Sequence, residues 1–443
     1  MSSPDVSTVP SSPPPVPPAS PTVPPAPPPA TARWRRWWSR WSSASPVSVT
    51  IFALILGFAV GALIIITTTP TVLDAWRGLF HGWAGPGRAL KVSFDTVGAA
   101  YRTMFVGSVV DPASLWHSIT TGRGWTATLT PLSETFTYAP PLIIASIGVG
   151  IGFQTGLFNI GANGQAVLGG IAGAVVGAMI HVPTIVHLPL TLLAGLVGGA
   201  LAGAVPGVLK AYTGAHEVIV TIMFNYVVYA FLMYVVLSTP FQQPGQQNDI
   251  GRTILPSATL APLFGTASGL RVSYSIIVAL VVVVYAWWFL DRSSMGFEFR
   301  VTGLNPTAAR ASGISARRVT VLVLVLSGAL CGLAGITQAA SFQQQLNGGF
   351  LIGNAGIGFT AITVALLGRN RPMGIVWSAL LFSALGVGGR VMQASTGIPL
   401  DLATVIQSVI VLFVATPVLV KEIFRLRAAH VTRVQLATQG WNS

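Results

Sequence analysis

Asp291–Arg318 reads DRSSMGFEFRVTGLNPTAARASGISARR, a polar, basic island between two apolar runs, 274–290 and 319–341. Runs of that length suit helices crossing the hydrocarbon core of a bilayer, which takes roughly 17–25 residues. Within the island, Asn305 suits an N-cap and Pro306 the first helical position. Gly313 suits the left-handed residue that closes a helix. The spacing predicts one short helix, Thr307 to Ser312, with Ala308 and Ser312 on one face and Ala309 beside them. Side chains this small let another protein approach closely. The island therefore reads either as a loop helix resting on the membrane surface or as a docking knob for a soluble partner.

Composition supports the membrane setting. The chain has 443 residues, 52% hydrophobic and 8% charged, with a mean hydropathy of +0.70. These values fit an all-α polytopic membrane protein and not a soluble domain. The 48 glycines suit close helix packing in lipid. The single cysteine, Cys331, lies in an apolar run and excludes an intrachain disulfide or a cysteine-cluster metal site. The net charge of +13 does not point to nucleic acid, because the basic residues flank apolar segments and serve membrane orientation.

Taken in order, residues 1–32 form a Pro-rich tail, with 13 prolines in the first 30 positions, too poor in apolar side chains to pack a core. Residues 33–69 join a basic-aromatic belt (Arg33, Arg35, Arg36 and Arg40 among Trp34, Trp37, Trp38 and Trp41) to a first span, Val47–Ile66. Residues 70–134 are polar and extracytoplasmic, with short interfacial helices expected around Phe94–Phe105. A membrane-spanning core, 135–420, contains the apolar segments 136–153, 165–181, 185–209, 218–238, 274–290, 319–341, 356–368, 373–389 and 402–420. A basic tail, 421–443, closes the chain. The ten spans return both termini to the cytoplasm. On that topology 16 of the 24 Lys and Arg residues are cytoplasmic, the island included, as the positive-inside rule requires.

Two stretches interrupt the apolar pattern with glycines and amides: Gly152–Gln165 after the second span and Ser341–Gly358 after the seventh. Irregular backbone at membrane depth is tolerated only when buried in protein or lining a water-filled cavity. Their matching positions imply two inverted halves, spans 2–5 and 7–10, around a transport pathway. The amides Gln154, Asn159, Asn163, Gln165, Gln343, Gln344, Gln345, Asn347 and Asn354 favour a pathway over mere tight packing, since unpaired amides facing lipid are costly.

No carboxylate falls in the middle of a span, which argues against a proton- or sodium-driven transporter working alone. The chain also lacks a phosphate-binding P-loop and a nucleophile elbow, so neither ATP binding by that route nor hydrolase chemistry is indicated. The scattered histidines, His181 and His187 among them, read as interfacial and not as metal ligands. A pathway without an energy source, carrying a cytoplasmic knob, implies energy supplied by a partner. The alternatives are an ion-driven transporter and a scaffold whose Pro-rich tail recruits partners.

Four strings carry a family resemblance. Thr307-Ala308-Ala309-Arg310-Ala311-Ser312-Gly313 resembles the coupling loop of ABC importer permeases, with Thr307 where the general pattern has glutamate. The flanking Gly303–Ile314 string resembles the variant of the branched-chain amino acid/ribose permease superfamily. Gly156–Gln165, Glu217–Tyr226 and Val364–Asn370 are similar to its nucleoside and simple-sugar branch, in which the position of Asn163 is often acidic. The resemblance spans about 125–420. It implies a non-enzymatic permease in the bacterial cell membrane, paired with a second permease, with two cytoplasmic ATPase subunits and with an extracytoplasmic binding lipoprotein. No cofactor would be bound directly, since ATP and Mg would be used by the ATPases. Nucleosides are the implied cargo, with simple sugars as the alternative. Asn305, Pro306, Thr307, Ala308, Ala309, Arg310, Ser312 and Gly313 would meet the ATPase. The amides above, with Asn225 and the rings of Phe158, Tyr226, Tyr229 and Phe342, are the candidates for hydrogen-bonding and stacking on the cargo.

Overall fold

A computed structural model describes residues 46–78, 85–350 and 356–424. Expectations for the tail, the basic-aromatic belt, Asn354 and residues 425–443 fall outside the described residues. Val49–Arg425 is one compact unit. The described residues form sixteen α-helices: α1 (Pro46–Thr68), α2 (Pro70–Arg77), α3 (Gly85–Val106), α4 (Pro112–Thr121), α5 (Trp125–Gln154), α6 (Ala162–Met179), α7 (Thr184–Thr213), α8 (Glu217–Leu237), α9 (Ser275–Arg292), α10 (Ser294–Leu304), α11 (Pro306–Ala311), α12 (Ala316–Gln338), α13 (Gly356–Leu367), α14 (Pro372–Thr396), α15 (Asp401–Ala415) and α16 (Pro417–Ile423). A single π-helical turn, Ala339–Gln343, continues α12.

Eight of these helices are long and apolar enough to cross a membrane, and two shorter apolar ones, α13 and α15, complete the expected ten segments. The segment before α5 departs from expectation. Between the short helices α2 and α4, the stretch expected to be a short helix around Phe94–Phe105 belongs to the 22-residue α3, which packs along α14. Gly388 on α14 lies against the Met104 carbonyl with no space for a β-carbon, so the two helices are in backbone contact there. Helix α4 is fixed locally: the Asp111 carboxylate accepts from the amides of Ala113 (3.4 Å) and Ser114 (3.2 Å). The Ser114 hydroxyl, donating to the same carboxylate at 2.7 Å, holds the Asp111 pKa below the usual range.

The packing is reciprocal between the two halves, α5–α8 and α12–α15. Helix α5 packs against α13 and α14 of the other half, while α12 packs against α6 and α7, and α5 and α12 cross each other. Exchange of partners in this manner is what an internal repeat produces. Counting the ten apolar segments as crossings, the two halves run in opposite directions. At the α7–α12 contact, Gly195, Gly199 and Gly203 recur at every fourth residue and meet Gly328 and Gly332. A β-carbon on Gly199 would sit 2.5 Å from the Gly332 Cα, and one on Gly332 would sit 2.5 Å from the Gly199 Cα. Small residues at that spacing bring helix backbones together, which is how helices associate in lipid.

Both interruptions contain described non-helical backbone, 155–161 and 344–350, and each is held by specific hydrogen bonds. After the π turn, Gln344 takes a left-handed conformation (φ 59°). The chain between α8 and α9 lies along the segment that follows. Gly251 N donates to Leu346 O, Ile254 N to Gln344 O and Leu260 N to Ala340 O, each at 2.8 Å, and Gly348 N donates to Asp249 O at 3.0 Å. This pairing satisfies backbone that would otherwise be orphaned at membrane depth.

Candidate functional site

The first break, 155–161, shows where its amides are used. Asn159 and Gln165 form a reciprocal amide pair. Asn159 Nδ2 donates to Gln165 Oε1 at 2.7 Å and Gln165 Nε2 donates back to Asn159 Oδ1 at 3.1 Å; Asn159 also donates to the Ser327 hydroxyl on α12 at 2.8 Å. Asn225 on α8 accepts from Gly164 N (2.9 Å) and donates to Ile160 O (3.2 Å), capping the start of α6 from outside. Asn163 accepts from Gly358 N at 3.0 Å and donates to the Tyr229 hydroxyl. Gly358 lies in the first turn of α13, the counterpart of α6, so the two broken helices meet at their N-termini. Gln154 Nε2 donates to Asn370 O at 2.6 Å, tying the end of α5 to the turn between α13 and α14.

These amides are buried or bonded to backbone, and none of Gln154, Asn159, Asn163, Gln165 and Asn225 lines the cavity between α5, α13, α14 and α15. Phe158 is 54% exposed and packs edge-on against Phe153, and Tyr226 is 64% exposed beside Tyr229. Both rings also lie away from that cavity.

The cavity itself, about 390 Å³, lies between α5, the π turn, α13, α14 and α15, against the C-terminal half of α14. Its volume is within the range of roughly 300–1,000 Å³ found for small-molecule sites. Leu142, Phe382 and Ala403 supply apolar wall, and Tyr138, Gln338, Gln343, Thr360, Arg390 and Gln407 supply the polar groups. Of the residues singled out from sequence, Gln343 lines this space, and Phe342 stands behind it with its ring 4.4 Å from that of Tyr138. The Arg390 guanidinium lies over the Tyr138 ring, 4.2 Å from its centroid. Gln338 and Gln343 are joined by one long bond of 3.4 Å, and Gln407 donates to Phe382 O at 3.3 Å. Much of their hydrogen-bonding capacity is left for a guest. A π turn followed by a left-handed glutamine is a locally strained arrangement of the kind that clusters at functional sites.

Sequence reading had not singled out Tyr138, Arg390 or Gln407. The one usable signal was Arg390, an ionisable residue at the end of an apolar run without a nearby carboxylate.

The island folds as its punctuation predicts. Asn305 Oδ1 accepts from Thr307 N and Ala308 N, both at 3.0 Å; Pro306 opens α11; and Gly313 takes φ 81° after it. Gly313 N donates to Arg310 O and Ile314 N to Ala309 O, each at 3.0 Å, so the carbonyls at the helix end are satisfied. Ala309 departs from the expected contact surface: it is 1% exposed and faces the protein's own interior. Thr307, Ala308, Arg310 and Ser312 are exposed, and Leu304, just before the helix, is 87% exposed. Gly303, at the end of α10, lies directly on the Gln154 carbonyl.

Residues 132–415 match the family described as branched-chain amino acid transport system, permease component. The guanosine ABC transporter permease protein NupP of Bacillus subtilis is 31% identical over 371 residues, covering 83% of this chain and 92% of that protein. The glucose ABC transporter permease protein TsgB13 of Haloferax volcanii is 34% identical over 292 residues, 64% of this chain and 76% of its own length. The nucleoside ABC transporter permease protein NupB of Lactococcus lactis subsp. cremoris is 32% identical over 297 residues, 66% and 80% respectively. No solved structure matches the chain significantly. With the family match covering well over half its length, this multi-pass membrane protein belongs to the branched-chain amino acid transport system permease family.

Proposed function

We propose that the chain is a membrane-spanning subunit of an ATP-driven importer of nucleosides, working with cytoplasmic ATPase subunits, a second permease and an extracytoplasmic binding protein. The observation that carries the reading is the pairing of a polar-aromatic cavity between the halves with an exposed capped helix, α11. Tyr138, backed by Phe342, offers aromatic surface for a base, while Gln338, Gln343, Thr360 and Gln407 offer hydrogen bonds for ribose hydroxyls. Two of the three relatives above are named for guanosine or nucleoside transport.

Helix α11 is the natural ATPase contact. Ala308 and Ser312 are exposed on α11 and Leu304 is exposed just before it, and the α10 end bears on Gln154, whose side chain reaches the other half at Asn370. A push on α11 is therefore delivered to both halves through one residue. Replacing Leu304 or Ala308 with glutamate should abolish uptake while membrane abundance stays at the wild-type level. Normal uptake in an abundant Ala308→Glu protein would refute the contact. Ala309→Glu is the wrong probe, since it buries a charge within the subunit.

A simple sugar is the second reading, favoured by the glucose permease relative. Competition of unlabelled glucose or ribose against labelled guanosine uptake separates the two.

A further inference from the structure

Arg390 is an unusual group to find beside a cargo cavity. No carboxylate is among the lining residues, and among the described residues the Tyr138 ring is the one partner that engages its guanidinium. The guanidinium carbon lies 4.2 Å from the ring centroid, a cation–π contact that positions the group at the cavity wall. The group has five donors and no acceptor. A guest that satisfies it must present acceptors, and a fixed fork is best met by two adjacent ones.

Building on the nucleoside reading, we propose that Arg390, held by Tyr138, selects 6-oxopurine nucleosides such as guanosine and inosine over adenosine. The O6 and N7 atoms of a 6-oxopurine are two neighbouring acceptors, the edge to which arginine binds in bidentate fashion. Adenine presents N7 beside an N6 amino group, so a donor would face a donor. Gln338, Gln343 and Gln407 carry both donors and acceptors and do not discriminate between these edges. The selection therefore rests on the single cationic fork.

The test is uptake by cells carrying the complete importer, with wild-type chain, Arg390→Gln or Arg390→Lys, each at verified membrane abundance. Labelled guanosine, inosine and adenosine are compared as ratios of kcat/KM. Because the binding protein is the same in all three strains, a change in ratio belongs to the cavity. The wild type should prefer guanosine and inosine, and Arg390→Gln should reduce both preferences by about tenfold or more, the usual worth of one bidentate base contact. Arg390→Lys, which keeps the charge but loses the fork, should not restore them. Equal loss for all three nucleosides would make Arg390 a structural residue and overturn the inference while leaving nucleoside import intact. A full preference retained by Arg390→Lys would overturn it too, since a point charge would then suffice. Transport of sugar and of no nucleoside would overturn the nucleoside reading and the selection together.

Discussion

Asn163 Oδ1 accepts a hydrogen bond from the Gly358 amide at 3.0 Å, joining the first turns of α6 and α13. Both helices direct their N-terminal backbone amides and the positive end of their dipoles toward this point. A carboxylate fits such a place, because it keeps the acceptor and gains from both dipoles. Asn163→Asp should therefore fold and transport within a few-fold of wild type. Asn163→Leu leaves the Gly358 amide without that acceptor and should cost about 1–3 kcal/mol. Thermal unfolding of the purified subunit with each substitution checks the ordering.

The Gly303–Gln154 contact makes a second demand. A side chain at 303 must push the end of α5 away from α10, since the Gln154 carbonyl occupies the place of a β-carbon. Gly303→Val should lower stability by about 1–3 kcal/mol, the usual cost of overpacking. Uptake should fall further than that loss explains, because force from α11 would no longer reach Asn370 through an aligned Gln154. Uptake measured at equal membrane abundance, alongside ATP hydrolysis by the assembled importer, should show hydrolysis persisting with little transport.

The glycine seam between α7 and α12 supports the whole unit. Gly199→Val or Gly332→Val places three carbons where the opposing backbone runs, and rotamer changes cannot relieve the overlap. Both variants should fail to accumulate as folded protein in membranes, judged by protease resistance. Gly386→Val, at a glycine with open space around its missing β-carbon, should accumulate normally.

The spans were legible because hydropathy acts over about 20 residues and needs no knowledge of tertiary contacts. Helix α11 was legible because Asn305, Pro306 and Gly313 act through local backbone chemistry. Its buried side was not: six residues give less than two turns, too short for an apolar stripe, so nothing marked Ala309 as inward. The amides of the first break invited a pathway reading, yet Asn159, Gln165 and Asn225 are spent on the broken backbone and on one another. Sequence alone cannot separate an amide that serves a guest from one that serves the main chain. The cavity was hidden because its polar groups come from five separated segments. Arg390 and Tyr138 are distant in sequence and meet only through α5 and α14.

The central claim is ATP-driven nucleoside import through this subunit, and one measurement addresses it directly. Proteoliposomes holding the complete importer, with its binding protein on one side and ATP with Mg on the other, are supplied with labelled guanosine. Guanosine should accumulate against a gradient only with ATP, and accumulation should stop when Leu304→Glu replaces the wild-type chain. Guanosine flux through this chain alone, driven by a sodium or proton gradient without ATP, would contradict the central claim.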